Sequence, residues 1–286
     1  MANPIARGLV KRKKVGFIGA GNLAQAIIEA LMEDGTVTPD QIGLSNRTPG
    51  KMAKLKTSYE GLQVYPTNEE LIDESDIIFL AMKPQDLPSA IESIVHAFNE
   101  DKIVISLAAG ISLDELKSLI PTTKSIIRVM PNTASRVGEG VIGISSLESD
   151  SLIEDIIVEL LSPLGLVVKV EEGDEFDALM VACASGTGFV FELMTYWEEW
   201  LVERGFDAAS ARAMTIKTFR GAALLAELQE NISLDELRNQ VTSKKGVTEA
   251  GLEKMRELEL EGTLAMSFEK SVQRNKNLSN HQYRGK

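Results

Sequence analysis

The sequence predicts an α/β chain of two parts: a doubly wound parallel sheet first, then an all-helical domain. Three observations predict it. Short apolar runs alternate with helical patterns from Val15 to about Val170, a glycine-rich turn sits at the first strand–helix junction, and strand-like runs cease after Glu171. Near-continuous apolar runs mark strands covered on both faces, and their alternation with helices makes a βαβ series. A length of 286 residues suits two domains of ordinary size. The expected division is a disordered basic tail over 1–13, a dinucleotide-binding domain over 14–170 and a helical substrate and dimerisation domain over 171–286.

In order, Val15-Gly16-Phe17-Ile18 reads as a buried strand and Leu23 to Met32 as a helix, with Leu23, Ile27, Ala30 and Leu31 on one face. Further strands are expected over 41–45, 63–65, 76–81, 103–107 and 125–129, then over 141–144 and 166–170. Helices follow over 174–204, 208–229, 233–241, 248–259 and 263–279, with Gly205 and Gly262 as stops. Met194, Tyr196, Trp197, Trp200 and Met214 read as core. The other reading is a face for a second subunit, because long apolar helices in so small a domain do not all bury within one chain.

Composition narrows the function classes. With 30 basic against 42 acidic residues the net charge is -12, which argues against nucleic acid and anionic membrane as partners. Cys183 is the one cysteine, so no intramolecular disulfide forms, as suits a reducing compartment. His96 and His281 stand far from each other and from Cys183 in sequence, so neither a metal site nor a histidine-based triad is expected. The basic run Lys11-Arg12-Lys13-Lys14 is followed only by a short strand, unlike a signal peptide. No run of about 18 apolar residues is read as a membrane span, and the expected location is the cytoplasm.

The first junction reads Gly19-Ala20-Gly21-Asn22-Leu23-Ala24, a G-x-G-x-x-A turn leaving a strand and opening a helix. Gly19 permits the tight turn, Gly21 leaves room for a pyrophosphate, and Ala24 lets helix and strand pack closely. The amides of the helix start, Asn22 and Leu23 among them, then face the phosphates. This is a Rossmann-type dinucleotide site, and in its strand–helix context the motif is specific. An NAD site places an acid at the end of the second strand. Ser45-Asn46-Arg47-Thr48 stands there instead, and Arg47 with its polar neighbours suits a 2′-phosphate, so NADPH is expected, with NADH as the alternative. Ala81-Met82-Lys83-Pro84 should flank the cofactor, and Ala109, Gly110 and Asn132 suit a nicotinamide pocket at the next strand ends. Each of these loops, taken alone, also reads as a simple turn.

Several segments, in order, resemble the pyrroline-5-carboxylate reductases: Gly16 to Asn22, Ala81-Met82-Lys83-Pro84-Gln85, Ser106 to Gly110, Arg128 to Thr133, Leu237 to Ser243 and Thr248-Glu249-Ala250-Gly251-Leu252. The resemblance runs from Val15 to about Ser279. It implies an oxidoreductase of proline biosynthesis that reduces L-Δ1-pyrroline-5-carboxylate to L-proline with NAD(P)H. It also implies a homodimer or dimer-based higher oligomer and a contact from Asn68 to the adenosine side of the cofactor. By the same resemblance Ser243, Lys245, Gly246, Val247 and Thr248 form the substrate loop. The amides of Lys245, Gly246 and Val247 meet the carboxylate, and the Thr248 hydroxyl acts as the catalytic contact to the ring nitrogen. A cyclic imine is already electrophilic, so positioning and a hydrogen bond suffice. Without the resemblance, Thr248 reads as a helix cap.

Two departures bear on the substrate. Where the family reads Ser-Pro-Gly-Gly, this chain has Ser243-Lys244-Lys245-Gly246, and Cys183-Ala184-Ser185-Gly186-Thr187 replaces Ser-Gly-Ser-Gly-Pro. If the lost glycine used a positive φ, Lys245 bears a cost of about 1 kcal/mol or the loop changes shape. The alternatives are an NADP-dependent reductase of a related imino acid and a non-catalytic NADP-binding regulatory paralogue. The β-hydroxyacid dehydrogenases share the architecture but need a lysine in the long inter-domain helix, and none occurs between Lys169 and Lys217.

Overall fold

A computed structural model describes residues 3–147 and 150–282, without the side chains of Pro49, Lys51, Lys54 and 278–282. Residues 1 and 2 of the expected tail and the side chain of His281 lie outside the described residues. The strands are β1 (Val15–Ile18), β2 (Ile42–Ser45), β3 (Gln63–Val64), β4 (Ile77–Leu80), β5 (Ile103–Ser106), β6 (Ser125–Met130), β7 (Gly140–Ser146) and β8 (Gly165–Lys169). Among them run α1 (Pro4–Val10), α2 (Asn22–Glu33), α3 (Pro49–Ser58), α4 (Asn68–Glu74), α5 (Leu87–Ile94), α6 (Leu113–Leu119) and α7 (Ser151–Leu161), followed by α8 (Asp174–Leu179).

The eight strands stand in the order β3-β2-β1-β4-β5-β6-β7-β8. Because strand side chains alternate faces, β1 and β4 feed two cores. Phe17 and Phe79 stack at 4.4 Å on one face, joined by Ile27, Leu31 and Ile157. Ile18, Ile78 and Leu80 meet Leu71, Leu87 and Leu116 on the other. The order reverses between β1 and β4, so their carboxyl ends open a crevice, the usual ligand position in such sheets.

The sheet is not wholly parallel, which corrects the sequence expectation. β7 runs antiparallel to β6, with Met130 opposite Gly143. Residues 131–139 are too few for a parallel crossover, which takes about a dozen or more. The expected disordered tail is also corrected over the described residues. The Asn3 side chain caps α1, Pro4 opens it, and Ala6 and Val10 are buried. They join the cluster that holds Ile156, Ile157 and Leu160 of α7. The Asn3 amide donates to Asp155 at 2.8 Å, and Gln41 donates to the carbonyls of Val10 and Lys13. A helix this short shows no sequence period, and packing rather than propensity stabilises it.

Two compact units divide at Ser185 and Gly186 rather than at 170 and 171. The first also takes in the chain from Val272. Strand patterns do end near Val170, but Phe176 and Leu179 of α8 cluster with Met130, which keeps α8 with the sheet. A π-helical turn, Met180–Ser185, follows it.

The second unit, Gly186–Ser271, is helical. It contains α9 (Gly186–Glu203), α10 (Ala208–Leu228), α11 (Leu234–Gln240), α12 (Val247–Glu257) and most of α13 (Leu260–Gln282). Gly205, at φ 99°, ends α9 as expected. Gly262 is no stop, because it lies inside α13; the break falls at Glu259, φ 52°. Trp197 meets Phe219 edge-on at 5.3 Å, and Phe189 meets Phe268 at 5.4 Å. Yet only Gly186, Ala211 and Thr215 of this unit are buried. Tyr196, Trp197 and Trp200 are exposed, so they are not core within one chain. The run Asp174–Glu203 is long and apolar enough, by length and composition, to cross a membrane, contrary to the sequence expectation. From Met180 to Trp197 its one charged side chain is Glu192, and small Ala, Gly, Ser and Thr residues break up the apolar pattern without adding charge.

Candidate active site

The turn after β1 is built for close approach. Gly19 sits at φ 106° and donates its N–H to the Ser45 carbonyl at 2.8 Å. A Cβ there would lie 2.8 Å from the Ala81 carbonyl oxygen, so only glycine fits. Asn46 ties the turn to the end of β2. Its Oδ1 accepts the Ala20 N–H at 3.2 Å, and its Nδ2 donates to the Thr48 carbonyl at 2.8 Å. Gly21 caps α2 without a side-chain hydrogen bond, and a Cβ on it would meet open space. The first intrahelical bond comes from Gln25 to the Gly21 carbonyl, which leaves the amides of Asn22, Leu23 and Ala24 without acceptors among the described residues. Orphan amides and the positive end of the helix dipole together favour an anion.

Around this turn opens a cleft of about 570 Å³. Gly19, Gly21, Asn46, Arg47, Thr48, Asn68, Ala81, Met82 and Lys83 line it, so nine of the sequence-predicted cofactor residues converge. The Ser45 hydroxyl donates to Asn68 Oδ1 at 2.8 Å and fixes that side chain, whose Nδ2 has no acceptor among the described residues. Arg47 is exposed and has no ion-pair partner among the described residues. A second hollow shares Asn46, Arg47 and Asn68 and adds Tyr65, Pro66 and Thr67. Asn22 and Leu23 line neither hollow; what they present beside the cleft are the free amides at the start of α2. Pro84, Ala109, Gly110 and Asn132 line neither hollow.

The sequence reading missed the opposite wall, made by Asp86, Ser89, Ala90 and Ser93. Its signal was present. Pro84 turns the chain back directly after β4, so the start of α5 must flank the strand end.

Asn132 is spent on structure. Its Nδ2 donates to the Cys183 carbonyl at 3.2 Å, in the π turn, and its Oδ1 accepts the Val141 N–H at 3.3 Å. It therefore ties the end of β6 to β7 and to the π turn. Arg128, buried on β6, lies 4.0 Å above the Phe176 ring and pairs with Glu172. That pair anchors the segment entering α8 to the sheet. No group of three His, Cys, Asp or Glu side chains is arranged to hold a metal ion among the described residues.

In the helical unit, the loop Ser243–Thr248 leads into α12. Lys245 adopts φ 59°, the left-handed conformation that a glycine would take. Gly246 donates its N–H to the Ser243 carbonyl at 2.8 Å, and a Cβ on it would lie 2.3 Å from the Ser243 Oγ. The Lys245 N–H is taken by the Glu249 carboxylate. Two of the three amides expected for the substrate carboxylate are therefore engaged within the loop. The first intrahelical bond runs from Ala250 to Gly246, which leaves Val247, Thr248 and Glu249 with free amides among the described residues. Gly246, not Thr248, caps α12. The Thr248 hydroxyl is exposed and makes no hydrogen bond among the described residues.

Two family models match the chain. One, described as NADP oxidoreductase coenzyme F420-dependent, covers residues 14–110. The other, described as pyrroline-5-carboxylate reductase dimerisation, covers residues 173–278. Pyrroline-5-carboxylate reductase of Methanosarcina acetivorans is 31% identical over 271 residues, 94% of this chain and 99% of that protein. Pyrroline-5-carboxylate reductase 2 of Bacillus subtilis is 31% identical over 265 residues, 92% of this chain and 94% of that protein. Among solved structures, a pyrroline-5-carboxylate reductase from Coxiella burnetii superposes with TM-score 0.83 at 28% identity, covering 94% of this chain and 98% of its own.

Proposed function

The chain belongs to the pyrroline-5-carboxylate reductase family, and we propose on that premise that it reduces the C=N bond of L-Δ1-pyrroline-5-carboxylate to give L-proline. The reductant is NADPH, with NADH as the alternative. The observation that carries this reading is the cleft at the start of α2, whose open Gly21, orphan amides and Arg47, the last two without partners among the described residues, fit a phosphorylated dinucleotide. Bound there, NADPH supplies the hydride for the reduction.

The chain's own residues position and polarise. The amides of Asn22, Leu23 and Ala24 hold the pyrophosphate, and Arg47 takes the 2′-phosphate. In the substrate loop the free amides of Val247, Thr248 and Glu249 hold the carboxylate, using the same helix-terminus chemistry. The Thr248 hydroxyl, without an internal partner, donates to the ring nitrogen and favours the electron-poor imine. Because the reaction needs no nucleophile, it calls for no histidine in either loop.

The helical unit supports an oligomer. Phe191, Trp200, Leu225 and Leu228 are exposed, and three buried residues do not make a core. We read the assembly as a homodimer or a dimer-based higher oligomer, with these helices forming the interface. The single cysteine and the acidic balance favour the cytoplasm.

The test is loss of NADPH absorbance with pyrroline-5-carboxylate, beside its six-membered homologue piperideine carboxylate. Faster turnover of the five-membered ring is expected. Turnover of the six-membered ring alone would move the substrate to a related imino acid. No turnover with NADPH still bound would overturn the reductase reading.

A further inference from the structure

Lys245 and Glu259 are the non-glycine residues with positive φ among those described. For a residue with a Cβ the left-handed region is strained, so something must hold Lys245 at φ 59°. Its N–H is held by a carboxylate one helical turn ahead, that of Glu249. On the other side, the Gly246 N–H is drawn to the Ser243 carbonyl at 2.8 Å. The loop is thus pinned on both sides of its strained residue. The arrangement also disposes of the Glu249 charge. A free carboxylate in the first turn of α12 would seek the helix-terminal amides, which are the donors assigned to the substrate. Engaged with Lys245, it leaves the amides of Val247 and Thr248 open.

We infer that Glu249 is a positioning residue of the substrate site: by accepting the Lys245 N–H, it holds the loop in the left-handed turn that presents the free amides of α12. This deepens the proposed function and rests on the reading of Ser243–Thr248 as the substrate loop. The Glu249 side chain acts through Lys245 and touches no reacting atom.

The experiment is a set of variants assayed for NADPH-dependent reduction of pyrroline-5-carboxylate. Glu249→Ala should raise KM about tenfold, the conformational cost of Lys245 converted at about 1.4 kcal/mol per tenfold, with little change in kcat. NADPH affinity should be unchanged. Glu249→Gln keeps an oxygen acceptor at the same reach and should raise KM clearly less than Glu249→Ala does. The decisive variant is Glu249→Ala combined with Lys245→Gly. Glycine adopts positive φ without that cost, so the double variant should regain most of the lost KM. An unmoved KM in Glu249→Ala, or a double variant no better than Glu249→Ala, overturns the role. A wild-type chain inactive on this imine overturns the substrate-loop reading and the role with it. An active wild type with an unmoved Glu249→Ala overturns the role alone.

Discussion

Replacing Gly19 by alanine should damage the dinucleotide site by a calculable amount. The residue sits at φ 106°, where a Cβ is strained whatever the space. The added methyl would also lie 2.8 Å from the Ala81 carbonyl oxygen, 2.9 Å from its carbon and 3.2 Å from the Met82 nitrogen. These are backbone atoms at the end of β4 and cannot rotate aside. The conformational cost is about 1–2 kcal/mol and the overpacking cost about 1–3 kcal/mol. If the turn keeps its shape, the loss appears in folding, at about 2–4 °C of Tm per kcal/mol for a unit of this size. If the turn yields, the amides of Asn22 and Leu23 lose their aim and the loss appears in binding, tenfold in Kd per about 1.4 kcal/mol. The assay pairs calorimetry of the free protein with a fluorescence titration of NADPH. Together the two losses should reach at least about 2 kcal/mol. Gly21→Ala is the control: φ is -71° and a Cβ meets nothing within 4 Å, so Tm should hold while Kd rises. A Gly19→Ala protein with wild-type Tm and Kd would refute the reasoning, as would a Gly21→Ala protein equally destabilised.

Arg47→Asp should weaken NADPH binding roughly ten- to a hundredfold, the range of a lost charge-assisted hydrogen bond, and NADH far less. Equal losses for the two cofactors would remove Arg47 from the 2′-phosphate. Thr248→Ala should lower kcat/KM about tenfold or more with NADPH affinity intact. Because Gly246 caps α12, Tm should not fall, and unchanged turnover would leave Thr248 without a role. For Glu154, burial pushes the carboxyl up, but hydrogen bonds from Lys169 and Ser146 and the Lys169 charge outweigh it and hold the group below its ordinary 4.5. A carboxyl depressed in the folded state contributes stability that is full above pH 4.5 and is lost as pH falls through the depressed value. Glu154→Gln should therefore cost stability near neutral pH and flatten the acid limb of an unfolding series; an acid limb parallel to wild type would exclude this linkage.

Much of the site was legible because its signals are local. Val15–Ile18 is apolar throughout because both faces of β1 are covered. Gly19 and Gly21 mark their turn because a tight strand–helix junction admits little else. Arg47 stands just beyond the end of β2, and the topology of the sheet alone brings the end of a strand beside the first close to the glycine turn. At Lys245 the resemblance left two outcomes open, a left-handed lysine or a loop of another shape, and the residue stands at φ 59°.

What escaped the sequence depends on partners far along the chain. The helix Pro4–Val10 exists because Ala6 and Val10 bury against α7, about 150 residues on, and seven residues show no period of their own. The direction of β7 follows from the length of its connection and its register with β6. Asn132 was placed in the nicotinamide pocket from its position at a strand end, but its amide is spent between Val141 and Cys183. Likewise, the choice of which loop amides remain for a substrate turns on where the Glu249 and Ser243 oxygens come to rest. The sequence by itself determined the strands of the sheet, the glycine turn after β1 and the family, because periodicity, glycine conformation and motif order act over a few residues. Tertiary structure alone decided which polar groups are left free to act, because a hydrogen bond made inside the fold withdraws its donor from any ligand, and no local pattern records that choice.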